Sequence, residues 1–518
     1  MIPIETKLTR FSYVLKKSDL TAEQIANIKK ELTVKPFKAG SYGKFSKDNS
    51  FSVFVETPEH LGIPKYFGIE KFGRPIINRL ESYAYPTFDM QYVEGTRPLY
   101  PQQRTIINKV IAGFERFRGG LLIAGCGIGK TNMAIYLACH LKLKTLFIVH
   151  KEFLMRQFIN RVKEFTNIKK VGIIQQKKIE VDTPFVVGMV HSLAKIDYPD
   201  ELFKDFGLII IDEVYHMAAR NFSNVFRKMT SKYMLGISAE TDRPDKLFKI
   251  INWYMGPFLH IEPQKPNSMV IVKKFNYKTS NTDRIKVVIN KYTKEPDRST
   301  MITNLCYIKK RNRHIIKIIE ELYDQDKHVL CLTGRIKQVN LLFKLLNRNP
   351  LINGNVGKYL GGMREADLAK SATKQIILGT FSMAEEGLDI PHLNAVMLLT
   401  PKSAVRQSVG RILRKDKYTE SPLIIDFVDD NQIFKNQART RSKYFAEQKY
   451  NIQEFYIADY ELAGYKMWDD SQYIKECLLK EPEIPIGGVV VPAVQNKIQQ
   501  IDFDEVDFDT DSDDSNSE

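Results

Sequence analysis

Cysteine is scarce in this chain of 518 residues. Its five cysteines (Cys126, Cys139, Cys306, Cys331 and Cys477) are widely spaced and form no C-x-x-C pair. Neither a zinc site nor a disulfide framework is implied, and a reducing compartment is the simpler reading. Long apolar runs are missing as well: none reaches the roughly 20 residues a membrane-spanning helix needs. The opening Met-Ile-Pro-Ile-Glu-Thr-Lys contains no apolar h-region. We therefore expect a soluble protein that is not secreted by a recognisable route. Acidic residues are outnumbered, 61 Asp and Glu against 77 Lys and Arg, for a net charge of +16. Nine of the acidic residues, with no basic ones, fall between Ile501 and Glu518, which leaves the first 500 residues at +25. A body so basic attracts polyanions, nucleic acid being the usual one, although a solvated lysine-rich surface gives the same count.

What is present reads as several domains. Residues 1–95 carry no chemical motif. Within them 19–32 (DLTAEQIANIKKEL) has apolar residues at helical spacing and a capping box from Thr21 to Gln24. Short alternating runs between Phe51 and Ile77 suggest strands. We expect a small N-terminal α+β accessory domain, either contacting nucleic acid or capping the fold. From 96 to 260, continuously apolar strands at 120–124, 145–149, 185–189, 208–211 and 233–238 alternate with helical lengths, the pattern of a parallel sheet covered on both faces. A polar, Pro- and Lys-rich stretch, 261–300, reads as a link. A second such α/β domain, 301–430, has strands at 329–333, 375–380, 395–399 and 423–427. Residues 431–480 read as a basic helical extension, and 481–518 as a loose, disordered acidic tail. That tail suits a solubility device, a peptide for a basic partner, or an autoinhibitory mimic of nucleic-acid charge.

Chemistry concentrates in three places. From Leu121 to Thr131 (LLIAGCGIGKT) an apolar strand turns through Gly125, Cys126, Gly127, Ile128 and Gly129 into a periodic helix. Backbone N–H groups of such a loop close around phosphates, Lys130 can reach the β- and γ-phosphates, and Thr131 can ligate Mg²⁺. Ala124 stands where the strict G-x-x-x-x-G-K-[ST] pattern has its first glycine. The apolar strand 208–211 then delivers Asp212, suited to Mg²⁺, and Glu213, suited to orient or deprotonate water. Finally, Gln407, Arg411 and Arg414 share one face if 407–414 is helical, where guanidinium suits the charge of a transferring phosphoryl group.

Together these residues resemble a superfamily-two helicase or translocase over roughly 96–430. Several further stretches support the resemblance. Leu99-Tyr-Pro-Gln-Gln103 is similar to the family's adenine-contacting segment, which implies that Gln103 reads the base. His150-Lys151 and His191-Ser192 occupy the places of strand-contacting motifs, as Arg335 (in Thr333-Gly334-Arg335) and Thr380 do in the second domain. Gly387 and Asp389, in the stretch Thr380 to Pro391, match the motif linking ATP to nucleic acid. The resemblance is strongest to the XPB and phage UvsW branch, especially the transcript-release DNA helicases of poxviruses and other large DNA viruses. It implies two tandem RecA-like parallel-sheet domains, ATP and Mg²⁺ as cofactors, and DNA in preference to RNA as partner. It further implies RNA polymerase or other transcription and replication proteins as contacts, with a virion or host cytoplasmic viral factory as location. Two places depart from the family pattern. The acidic box reads Asp-Glu-Val-Tyr, with His216 one place late, and Glu240 interrupts the coupling motif that begins at Ser238-Ala239. An RNA helicase, or a nucleotide-gated scaffold with little turnover, are the competing readings.

Overall fold

The computed structural model describes residues 5–36, 50–94, 98–125, 127–218, 223–239, 247–262, 268–278, 282–387, 390–410, 412–413 and 420–457. The chain divides into two compact units, the first ending at Pro263 and the second beginning at Gln264. Among the described residues no helix is long and apolar enough to cross a membrane.

The first unit is built on an eight-stranded sheet. Its strand order is Lys178–Glu180, Gly172–Gln175, Phe185–Met189, Thr145–Val149, Leu208–Asp212, Tyr233–Ser238, Gly119–Ile123 and Phe258–Ile261. Every neighbouring pair is parallel except the hairpin of the first two. The strands around Leu208–Asp212 are buried along nearly their whole length, as sheets covered by helices on both faces require. Residues 5–94 add a five-stranded, mostly antiparallel sheet and the helix Ala22–Glu31, whose Thr21–Gln24 capping box is formed. Their core runs on into that of the large sheet. Leu15 and Phe67 belong to one buried cluster with Ile209, Ile251 and Tyr254. Phe67 meets Trp253 edge-on at 5.4 Å, and Tyr254 Oη donates to Val53 O at 2.8 Å.

The second unit is a seven-stranded sheet in the order Val356–Tyr359, Ile376–Thr380, Val329–Thr333, Ala395–Leu398, Leu423–Asp429, Ile271–Tyr277 and Asn451–Tyr456. All its pairings are parallel. The C-terminal ends of all seven strands thus lie on one edge, the edge where α/β sheets hold ligands. Ile271–Tyr277 falls within the stretch read from sequence as a link. It pairs on both sides, burying Val272, Phe275 and Tyr277 between Lys273, Lys274 and Asn276. The basic extension begins with the helix Gln432–Glu447 and continues as the strand Asn451–Tyr456. The acidic tail lies outside the described residues.

Candidate active site

The strand Gly119–Ile123 leads through the glycine loop to the helix Lys130–Leu141. Gly129 caps that helix at φ +85°, and a Cβ there would sit 2.3 Å from Gln103 Nε2. Glycine is thus required twice over, by backbone conformation and by space. Gly127 is likewise at φ +86°. Lys130 bends back so that Nζ donates to Ala124 O at 2.9 Å and Gly125 O at 3.3 Å. This ties the ammonium to the start of the loop, while Thr131 follows in the helix's first turn. Cys126 lies outside the described residues.

Gln103 is buried, and its amide is engaged at both ends. Nε2 donates to Ile128 O at 2.7 Å, and Oε1 accepts from Tyr100 N at 2.9 Å. One side chain therefore caps the helix Pro101–Phe117 and braces the phosphate loop.

Asp212 and Glu213 stand at the C-terminal end of Leu208–Asp212. Between this strand and the one feeding the loop runs Tyr233–Ser238, so that Ser238 arrives beside them. Ser238 Oγ lies 3.4 Å from Glu213 Oε2. Glu213 adopts φ +45°, unusual for a residue with a side chain. It is held there by its own N–H donating to Asp212 Oδ1 at 3.0 Å and by its carbonyl accepting from His216 N at 3.0 Å. Desolvation and the charge of Glu213 push the Asp212 carboxyl up to about 6, against the pull of Lys130 and His150. The loop lysine and the strand-end carboxylate thus sense each other.

That shift has a consequence for the nucleotide-free protein. An aspartate raised on folding from its usual value near 4 binds more protons in the folded state than in the unfolded one. Stability should therefore fall as pH rises from about 4 to about 6. Asp212→Asn should remove this contribution, leaving a shallower decline in denaturation free energy over that window. Identical slopes would refute the assignment.

The expected nucleic-acid contacts divide. His150 and Lys151 follow the strand Thr145–Val149, and the rings of His150 and His216 lie 4.5 Å apart. His216, to which the sequence assigned no role, thus connects the carboxylate end of one strand with the His150 end of its neighbour. His191 is exposed, and desolvation together with positive charge from Lys195, His150 and Lys151 keeps it below the usual imidazole range. Ser192 is buried instead, its Oγ accepting from Gln176 N at 2.9 Å, so it holds the turn of the edge hairpin. In the second unit Thr380 ends its strand with Oγ1 3.2 Å from Ser382 Oγ. The guanidinium of Arg335 is absorbed by the helix Arg298–Cys306: Nε donates to Thr303 Oγ1 at 2.8 Å, and the two amino groups reach Ser299 and Gly334. Neither Ser192 nor Arg335 offers its polar group freely to a strand, and no local sequence pattern signals that.

Gln407 is buried in the helix Arg406–Val409, which closes at Gly410. Arg411, Arg414 and Asp389 lie outside the described residues, and Gly387 ends the helix Phe381–Gly387. The expected single face of Gln407, Arg411 and Arg414 is therefore described only at its first member.

The family described as type III restriction enzyme, res subunit, matches residues 96–243. The chain is 56% identical over 485 residues to the Acanthamoeba polyphaga mimivirus protein named "Putative ATP-dependent RNA helicase L396", covering 93% of each. The identically described QP509L of African swine fever virus (isolate Tick/South Africa/Pretoriuskop Pr4/1996) is 23% identical, over 74% of this chain and 80% of its own length. Among solved structures, "S. cerevisiae Dbp5 bound to RNA and ADP BeF3" superposes with a TM-score of 0.52 at 13% identity, over 73% of this chain and 93% of that one. This last likeness speaks for the fold.

Proposed function

Because the chain belongs to the superfamily-two helicases, nucleic-acid-dependent ATPases that include those of large DNA viruses, we propose that it couples ATP hydrolysis to movement along, or unwinding of, duplex DNA. The process served would be viral transcript release or repair. The observation that supports this most is the convergence of Lys130, Asp212 and Glu213 at one end of one sheet, close enough for the lysine to bias the carboxylate's ionisation.

In this reading the loop N–H groups and Lys130 hold the phosphates, and Gln103 meets the base from the position where its amide braces the loop. Glu213, with Ser238 beside it, orients the attacking water and accepts its proton. Thr131 and Asp212 would hold Mg²⁺, which would neutralise charge on the β- and γ-phosphates. The fit is chemical: both donors are oxygens, and one carboxylate plus phosphate oxygens is the usual Mg²⁺ set. Gln407, Arg411 and Arg414 of the second unit would stabilise the charge that develops on the transferring phosphoryl group. Gly387 and Asp389 would relay that state to the nucleic acid. His150, Lys151, His191 and Thr380 would touch the strand. RNA polymerase or other transcription and replication proteins would be the partners, in the virion or a cytoplasmic factory.

The names of the mimivirus and African swine fever virus relatives favour RNA as the alternative substrate. ATPase assays with duplex DNA, single-stranded DNA and RNA, each beside a Glu213→Gln control, decide between them. Duplex DNA should stimulate most. Strongest stimulation by RNA would move the reading to the alternative, and stimulation by none would overturn it. Affinity for duplex should also fall with salt, at a log–log slope near −0.9 per phosphate neutralised. A flat dependence would exclude a phosphate-tracking mode.

A further inference from the structure

Tyr292 is 95% exposed, the most exposed large apolar side chain among the described residues. It does not sit on a loose loop. Residues 288–297 form a hairpin closed by the Ile289–Pro296 bridge, with Asp297 N donating to Val288 O at 2.7 Å and Asn290 N to Glu295 O at 2.8 Å. Its tip is fixed by Asn290, whose Oδ1 accepts from Tyr292 N at 2.9 Å and Thr293 N at 3.1 Å, and by Lys294 at φ +59°. The root is apolar: Ile285, Val287 and Val288 pack on Met301, Leu305, Ile308 and Phe434. A rigid base thus carries an aromatic ring into solvent between two exposed lysines, Lys291 and Lys294.

The hairpin's place in the fold gives this meaning. It follows the C-terminal end of Ile271–Tyr277. Asn431, just past the end of Leu423–Asp429, donates Nδ2 to Ile285 O at 2.6 Å. Arg335, just past the end of Val329–Thr333, grips Ser299 and Thr303 immediately after the hairpin. Both anchors rise from the C-terminal edge of an all-parallel sheet, the edge that also bears Thr380. Arg335 thus fixes the segment on which the hairpin stands.

We propose that residues 288–297 form a strand-engaging pin, in which Tyr292 stacks on an unpaired nucleobase while Lys291 and Lys294 take flanking phosphates. The inference rests on the nucleic-acid motor reading and names a contact for it. A flat ring flanked by cations suits a base within a phosphate backbone, and base–aromatic stacking is indifferent to sequence. Lys291 and Lys294 outnumber Glu295 at the tip, so the local charge also favours a polyanion.

The test uses the full chain and partial duplexes carrying 2-aminopurine at the single-strand junction, made as DNA and as RNA. The parent protein should quench the probe on whichever nucleic acid stimulates its ATPase. Tyr292→Ala, harmless to folding at so exposed a site, should lose the quench and unwind roughly tenfold less duplex per ATP hydrolysed. Tyr292→Trp should restore both, and the Lys291→Ala, Lys294→Ala double variant should weaken affinity while keeping the quench. If the parent ATPase responds to no nucleic acid, the motor reading and the pin fall together. If it responds and Tyr292→Ala matches the parent in quench and unwinding, the pin alone is wrong.

Discussion

A Glu213→Gln protein is expected to retain ATP binding and to hydrolyse ATP about 10²–10⁴-fold more slowly than the parent, the range over which a positioned general base acts. The isosteric amide preserves the packing and the neighbour Ser238 but cannot accept a proton from water. The backbone makes the case specific to this residue. Glu213 is held at φ +45°, a left-handed conformation that costs a non-glycine residue on the order of 1–3 kcal/mol, and such strain gathers at functional sites. Its own N–H to Asp212 Oδ1 and its carbonyl to His216 N keep it there. Glu213→Gly should therefore give a protein at least as stable as the parent and as inactive as Glu213→Gln. Single-turnover hydrolysis, calorimetric ATP titration and denaturation of both variants form the check. Hydrolysis by Glu213→Gln within tenfold of the parent would remove Glu213 from the chemistry.

The contrast between what sequence reveals and what it hides follows from how local each signal is. Thr145–Val149, Phe185–Met189 and Tyr233–Ser238 lie where the sequence places them, because strands buried on both faces are apolar at every position. Ile271–Tyr277 escapes notice because Lys273 and Lys274 interrupt it, although the strand is flanked on both sides. Asn451–Tyr456 is polar because it forms the sheet's edge. The phosphate loop and Asp212-Glu213 are legible since loop and carboxylates each act within a few residues of chain. Gln103, Ser192 and Arg335 are legible as polar residues in motif positions, yet each bonds a distant segment that no spacing reveals: the 128 loop, the 176 turn and the 299–303 helix turn. Tyr292 reads as part of a link until the hairpin's bonds are seen.

Arginines in particular read as solvated, yet in the second unit Arg311 and Arg441 are almost wholly buried. Leu423–Asp429 carries Asp426 and Asp429 at positions that face opposite sides of the sheet, both fully buried. Arg311, itself buried, donates Nε to Asp429 Oδ1 at 2.6 Å and an amino group to Oδ2 at 2.8 Å, with its guanidinium carbon 4.8 Å from the centre of the Phe427 ring. Arg441 clasps Asp426 from the other face at 3.0 and 2.7 Å. Removing one partner leaves a buried charge uncompensated, so Asp429→Asn or Arg311→Met should destabilise by about 3–5 kcal/mol, whereas apolar replacement of both partners should cost far less. Urea denaturation of each single variant and of the pair measures the coupling, and a single-variant loss under about 1 kcal/mol would contradict it. The two arginines also hold the chain that leads to Gln407, Arg311 through Leu399 O at 2.5 Å and Arg441 through Lys402 O at 2.6 Å. The apolar double variant at 311 and 429 should consequently regain most of the stability yet hydrolyse ATP more slowly than the parent, since the Leu399 carbonyl has lost its donor. Full activity in that variant would mean the pair stabilises the sheet and nothing beyond it.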